Sequence, residues 1–119
     1  MDDLAQVTVG ERGTVWLIGI RGEVDMSNAR LVADEMRESI PNHAEGVVLD
    51  LTHTSYMDSR GISLLFQMAR RLSVRGQRLA IAVPDDAPVR SVLSLTGVAS
   101  VAGIFPSVTE AESSVVVID

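Results

Sequence analysis

The sequence predicts a single α/β domain with a mixed, mostly parallel sheet of four to five strands and about four helices. Three observations carry that prediction. Short runs rich in Val, Ile and Leu alternate with segments whose apolar residues recur at helical spacing. Such alternation is the pattern of parallel strands joined by crossover helices. Glycine, proline and capping residues fall between the runs, where turns and helix ends are needed. At 119 residues the chain has room for one domain with a proper core and not for two, so residues 1–119 are expected to form one unit.

Ala5–Val9 reads as a weak first strand and Thr14–Ile20 as a strand buried on both faces, with Glu11-Arg12-Gly13 as the hairpin loop between them. From Ser27 to Ile40 the period changes: Ala29, Val32, Ala33, Met36 and Ile40 share one helical face. Ser27 is the expected N-cap, and Pro41 cannot continue the helix. Val47–Leu51 is the next strand. Ile62, Leu65, Phe66, Ala69 and Leu72 mark a second helix that Gly76 ends. Leu79–Val83 is a strand, followed by a turn at Pro84-Asp85-Asp86. A third helix has Pro88 in its first turn, Val89, Val92 and Leu93 inward, and Gly97 as terminator. Ala99–Ile104 reads as the last strand, and Ser107-Val108-Thr109-Glu110 matches a capping box that opens a closing helix. The tail Val115–Ile118 is open between a strand and an extended end.

Hydrophobic residues are 46% and charged residues 22%, an ordinary globular balance that argues against disorder. Aromatics are only 3%, so the core must be built from Val, Leu, Ile, Ala and Met. The apolar runs fall far short of the roughly 20 residues of a membrane helix. The start, Met1-Asp2-Asp3-Leu4, lacks the basic and apolar regions of a signal peptide. A cytoplasmic setting without a membrane partner is therefore expected. The absence of cysteine excludes disulfides, a thiol nucleophile and thiolate metal sites. A net charge of −6 opposes binding to phosphate backbones, so no nucleic-acid partner is expected. Arg70, Arg71, Arg75 and Arg78 read as the solvated face of a helix and its following turn, with service to a protein partner as the alternative.

Tests for enzyme chemistry fail. A phosphate-binding loop needs a lysine, and the chain has none; the G-x-G-x-x-G fingerprint is also missing. His43 and His53 lack metal-ligand spacing, and His43, in the polar connection after Pro41, reads as a solvated imidazole. A Ser59–His53 triad is disfavoured because Ser59 lies in Met57-Asp58-Ser59-Arg60-Gly61 and not in G-x-S-x-G. Asp50 invites comparison with a phospho-receiver domain, which also requires a lysine, and so reads as a carboxylate on the polar side of an edge or sheet face. No enzyme activity, cofactor or metal is expected.

Asp58 and Ser59 sit where the loop after the third strand enters the second helix, and either could serve as its N-cap. Capping does not explain Gly61, which costs about 1 kcal/mol in a helix relative to alanine. A glycine there permits close approach by another backbone or by a ligand. A hydroxyl at a helix start is also a favourable place for a phosphate, because free N–H groups and the helix dipole stabilise the added charge of about −1.5 to −2. The added charge would repel or block an acidic or apolar docking partner.

These residues match a known pattern. Gly22-Glu23-Val24-Asp25 after a buried strand, then a helix, then Val48-Leu49-Asp50-Leu51 and Met57-Asp58-Ser59-Arg60-Gly61-Ile62, resembles the STAS domain of bacterial anti-sigma factor antagonists. The order of elements agrees over nearly the whole chain, including Leu95-Thr96-Gly97-Val98 at the end of the third helix. The length suits a stand-alone antagonist better than a transporter's appended domain. The resemblance implies binding to an anti-sigma factor that is also a serine kinase, and so control of sigma-factor-dependent transcription. It further implies phosphorylation of Ser59 by that kinase, which breaks the complex, and restoration by a serine phosphatase. Asp25, Ser27, Asp58, Ser59, Arg60, Gly61 and Ile62 are the expected partner-binding residues, on a face around Gly22–Ser27 and Met57–Leu65. Arg60 departs from the family pattern of Ser, Thr or Ala. It could pair with the phosphate, meet an acidic patch on the partner, or hinder the kinase. The alternative role is an unphosphorylated STAS scaffold, in a stress-sensing assembly or as a lipid transporter's accessory subunit, with Ser59 only a cap. Weak nucleotide binding lacks any phosphate cradle.

Overall fold

The computed structural model describes residues 5–116. Strands β1 (Ala5–Arg12) and β2 (Val15–Val24) form an antiparallel hairpin closed at Gly13, whose φ of 64° suits glycine. Helix α1 (Ala29–Ser39) leads to β3 (Gly46–Asp50), and β4 (Thr54–Met57) precedes α2 (Ser59–Val74). Then follow β5 (Arg78–Ala82), α3 (Pro88–Thr96), β6 (Gly103–Phe105) and α4 (Val108–Val115). The sheet runs β1-β2-β3-β5-β6, parallel apart from the hairpin, and β4 pairs with β2 off this path. The α/β class and the four helices hold. The sheet, however, has six strands where four to five were expected.

Alternation along the strands divides the core. Ile18, Ile20, Val47, Leu49 and Ile81 project to one face, where they meet Met36 of α1, Leu65 and Leu72 of α2 and Leu93 of α3. Val15, Val48, Ala80 and Ala82 project to the other, where Ala111 and Val115 of α4 cover them. Small side chains on that second face let α4 lie close: a Cβ on Gly46 would come within 2.8 Å of the Val115 carbonyl oxygen.

Several expectations are corrected. Strand β4 was not foreseen; only Thr54 and Met57 turn inward in it, so no apolar alternation marks it. Its pairing prolongs β2 to Val24, four residues past the expected end at Ile20. Ser27 does not cap α1; Asn28 holds the cap position, and the Ser27 hydroxyl turns back to Asp25. Val92 is 38% exposed and not inward, because α3 buries only Val89 and Leu93. The expected strand Ala99–Ile104 begins instead with a 3-10 turn at Val98–Ser100, where the Ser100 N–H bonds the Gly97 carbonyl, and only Gly103–Phe105 pairs. Asp50 lies on a central strand, with the Thr52 N–H and hydroxyl both donating to its Oδ1. His43 is exposed but stacks edge-on against Trp16, ring centroids 5.1 Å apart. Pro88, the Gly97 terminator and the Ser107 cap of α4 stand where they were expected. Val115 closes α4 and Val116 is extended, while residues 117–119 lie outside the described residues.

Candidate functional site

The end of β2 and the start of α2 meet at one edge of the molecule. Beyond Val24 the chain turns through Asp25, Met26 and Ser27 into α1. The turn is built by short polar side chains bonding to nearby backbone. Asn28 Oδ1 accepts the Asp25 N–H at 2.9 Å, and Asn28 Nδ2 donates to the Glu23 carbonyl at 2.9 Å. Asp25 Oδ1 accepts the Ser27 hydroxyl at 2.5 Å and the Ser27 N–H at 2.8 Å. Those two bonds, the hydroxyl first, hold the Asp25 carboxyl below its ordinary value. The turn leaves Met26 at its tip, 76% exposed.

Asp58 joins this turn to α2. As the N-cap it accepts the Arg60 N–H at 2.9 Å and the Gly61 N–H at 3.2 Å on Oδ1. Its Oδ2 accepts the Met26 N–H at 3.2 Å, and its own N–H donates to the Val24 carbonyl at 3.1 Å. One carboxylate therefore satisfies helix donors and pins a loop 32 residues away in sequence. With Asp58 as the cap, Ser59 has no capping duty. It is the first residue of α2 and lies exposed.

Gly61 answers a need inside the protein. A Cβ there would stand 3.2 Å from Val24 Cγ1 and 3.3 Å from the Val24 carbonyl oxygen, and would run into the Met57 side chain. The close approach is therefore by the chain's own β2 and β4. Of the residues expected to meet a partner, Asp25, Ser27, Asp58, Ser59 and Arg60 gather at the edge, half-buried or exposed. Gly61 and Ile62 are buried beneath it. The sequence reading missed Asn28 and Met26. Asn28 had a readable signal, an amide one residue before the helical period begins and three after Asp25. Met26 had none, since exposure of a lone methionine follows from the turn.

Arg60 lines a groove of about 360 Å³ between α1 and α2, together with Arg30 and Arg37. His53 lies elsewhere: with Asp50, Thr8 and Arg21 it borders a small depression of about 60 Å³ to which Ser59 does not contribute. A Ser59–His53 pair therefore has no shared cleft. Among the described residues no group of three or more His, Asp or Glu side chains could hold a metal ion, and no helix is long and apolar enough to cross a membrane.

The STAS domain family model matches residues 6–111, a span that includes the whole of this edge. The chain belongs to the STAS domain family. This STAS domain is 24% identical over 101 residues to the anti-sigma F factor antagonist of Paenibacillus polymyxa, covering 84% of this chain and 86% of that protein. It superposes on an anti-sigma factor antagonist from Mycobacterium paratuberculosis with a TM-score of 0.83, at 20% identity and 93% coverage of each chain. The phosphorylated form of the Bacillus cell fate determinant SpoIIAA gives a TM-score of 0.64 at 17% identity, over 93% of this STAS domain and 100% of that chain. At such identities the two structures establish the STAS fold.

Proposed function

We propose that this STAS domain is an anti-sigma factor antagonist whose docking edge is formed by Asp25–Ser27 and Asp58–Arg60. Its partner is an anti-sigma factor that doubles as a serine kinase, and the switch is phosphorylation of Ser59. One observation carries the reading: Asp58 caps α2, leaving Ser59 exposed beside it and, among the described residues, without a side-chain hydrogen bond. The kinase transfers the γ-phosphoryl of ATP to Ser59 Oγ: the bond from the γ-phosphorus to ADP breaks, ADP departs, and the hydroxyl proton passes to a base of the kinase. Neither the cap nor the helix has to be rebuilt to accept it.

The phosphate brings about −1.5 to −2 charges to an edge that already holds the Asp58 and Asp25 carboxylates. A partner surface fitted to the unmodified edge then meets like charge and added bulk, and is released. A serine phosphatase resets the edge. The relatives named as anti-sigma factor antagonists, and a neighbour known in a phosphorylated form, support this reading. The setting is the cytoplasm, where sigma factors act.

The test is incubation with the purified anti-sigma kinase and ATP, followed by peptide mass spectrometry. One phosphate at Ser59 is expected, and none on a Ser59→Ala variant. In a binding assay Ser59→Ala retains the partner and Ser59→Asp loses it. Undiminished binding by Ser59→Asp would refute the switch.

A further inference from the structure

The chain carries 16 Asp and Glu against 10 Arg, yet its α1–α2 face is basic. Arg30 and Arg37 of α1 and Arg60, Arg70, Arg71 and Arg75 from α2 and its end all line one seam. The seam is continuous. Arg37, Leu64 and Gln67 border both its first stretch, of about 360 Å³, and its second, of about 200 Å³. Gln67 and Arg71 carry it on to a third of about 410 Å³, where Val74 stands 83% exposed. Asp34 is the one acidic residue in the lining, and it is taken up by Arg37. Among the described residues the other five arginines have no carboxylate partner, although Arg75 reaches the Asn42 side-chain oxygen. Between the arginines the floor is closed: Ala33, Leu64 and Met68 are each no more than 8% exposed, and the seam's exposed apolar surface lies at Val74.

We propose that this seam is a second docking surface, and that its occupant is an acidic amphipathic helix of a protein partner. A helix laid between α1 and α2 sets carboxylates on its flanks against arginines from both walls and an apolar residue against the exposed Val74. The complementarity is chiefly of charge. A nucleic acid brings no apolar group to Val74 and meets a chain of net charge −6. A lipid surface needs a broad exposed apolar face, and this seam is recessed between two helices over a buried floor. The seam gives Arg60 a role set by its neighbours Arg30 and Arg37, independent of phosphate on Ser59.

The experiment uses the full chain carrying Ser59→Ala, so that failure of the phosphorylation switch and failure of the seam are distinguishable. The probe is a labelled synthetic helix with leucines on one stripe and glutamates on the flanks, followed by fluorescence anisotropy. Binding that weakens with salt is expected, and none for the same helix with lysines in place of the glutamates. Arg30→Glu with Arg71→Glu lowers affinity about tenfold or more, while Arg21→Glu with Arg78→Glu, equal in charge change but off the seam, alters it less than about threefold. Arg30→Gln with Arg71→Gln repeats the test should circular dichroism show the charge-reversed pair unfolded. Equal binding of the acidic and basic helices, or equal loss in both variant pairs, overturns the proposal. So does tighter binding to a DNA duplex or to phosphatidylglycerol vesicles, or self-association that the seam variants abolish.

Discussion

Asp58 accepts three backbone N–H groups from two segments, and that economy makes it the residue on which the docking edge depends. Asp58→Ala removes the α2 cap and the tie to Met26 in one step, and caps of this kind are worth about 0.5–2 kcal/mol. Thermal unfolding should show a loss near the upper end of that range, with Asp58→Asn much milder. A second titratable group gives a pH prediction. The folded Asp25 carboxyl titrates below its ordinary value of 3.8 because the Ser27 hydroxyl and N–H bond its charged form. The unfolded carboxyl therefore takes up its proton first as pH falls. Any stabilisation from this group is complete above about 3.8 and is lost as pH falls through the lower, folded value. In Ser27→Ala the Asp25 midpoint, followed by carbon-13 NMR, should rise toward 3.8; an unchanged midpoint would contradict the hydrogen bond as its cause. Asp58 and Ser59 were legible as a helix start because cap residues are chosen locally. Which of them caps was not legible, since either side chain has the reach.

At the scale of elements, β4 is the piece that aims the site. It pairs Tyr56 with Glu23 and Met57 with Val24, so α2 begins beside the end of β2. Thr54 anchors it, donating its buried hydroxyl to the Ile20 carbonyl at 2.7 Å. Thr54→Val keeps the shape and leaves that carbonyl without the bond, at a cost of about 1 kcal/mol. The urea midpoint should fall accordingly. Amide exchange should quicken at Asp58, whose N–H bonds the Val24 carbonyl across this pairing. A variant with unchanged midpoint and exchange would show that β4 is held by its neighbours alone. The helices were legible because a buried stripe repeats every three to four residues over many turns. β4 was not, because four residues with a threonine as one of two inward groups give no period. The segment after Gly97 misled for the opposite reason. Val98, Val101 and Ala102 look like a strand, but Val98 and Ala102 are buried as a turn places them, while Val101 stays out.

Across the whole molecule, the hydrophobic pattern determined that the chain is an α/β domain with a parallel sheet. Alternation of Val47, Val48 and Leu49 between the two faces, and the helical stripes of α1 and α2, demand burial on both sides of that sheet. The local chemistry at Asp58, Ser59 and Gly61 determined that a capped helix starts there, and the family resemblance followed from residues within short segments. What tertiary structure alone decided is adjacency between distant segments. Only the folded sheet brings Met26 to Asp58, sets Gly61 against Val24, and puts His53 with Asp50 around a depression that Ser59 does not line. Only the packing of α1 on α2 gathers arginines from two helices into one seam on an acidic chain. The physical reason is one of range: periodicity and capping act over a few residues of chain, whereas these contacts depend on sheet register and helix packing.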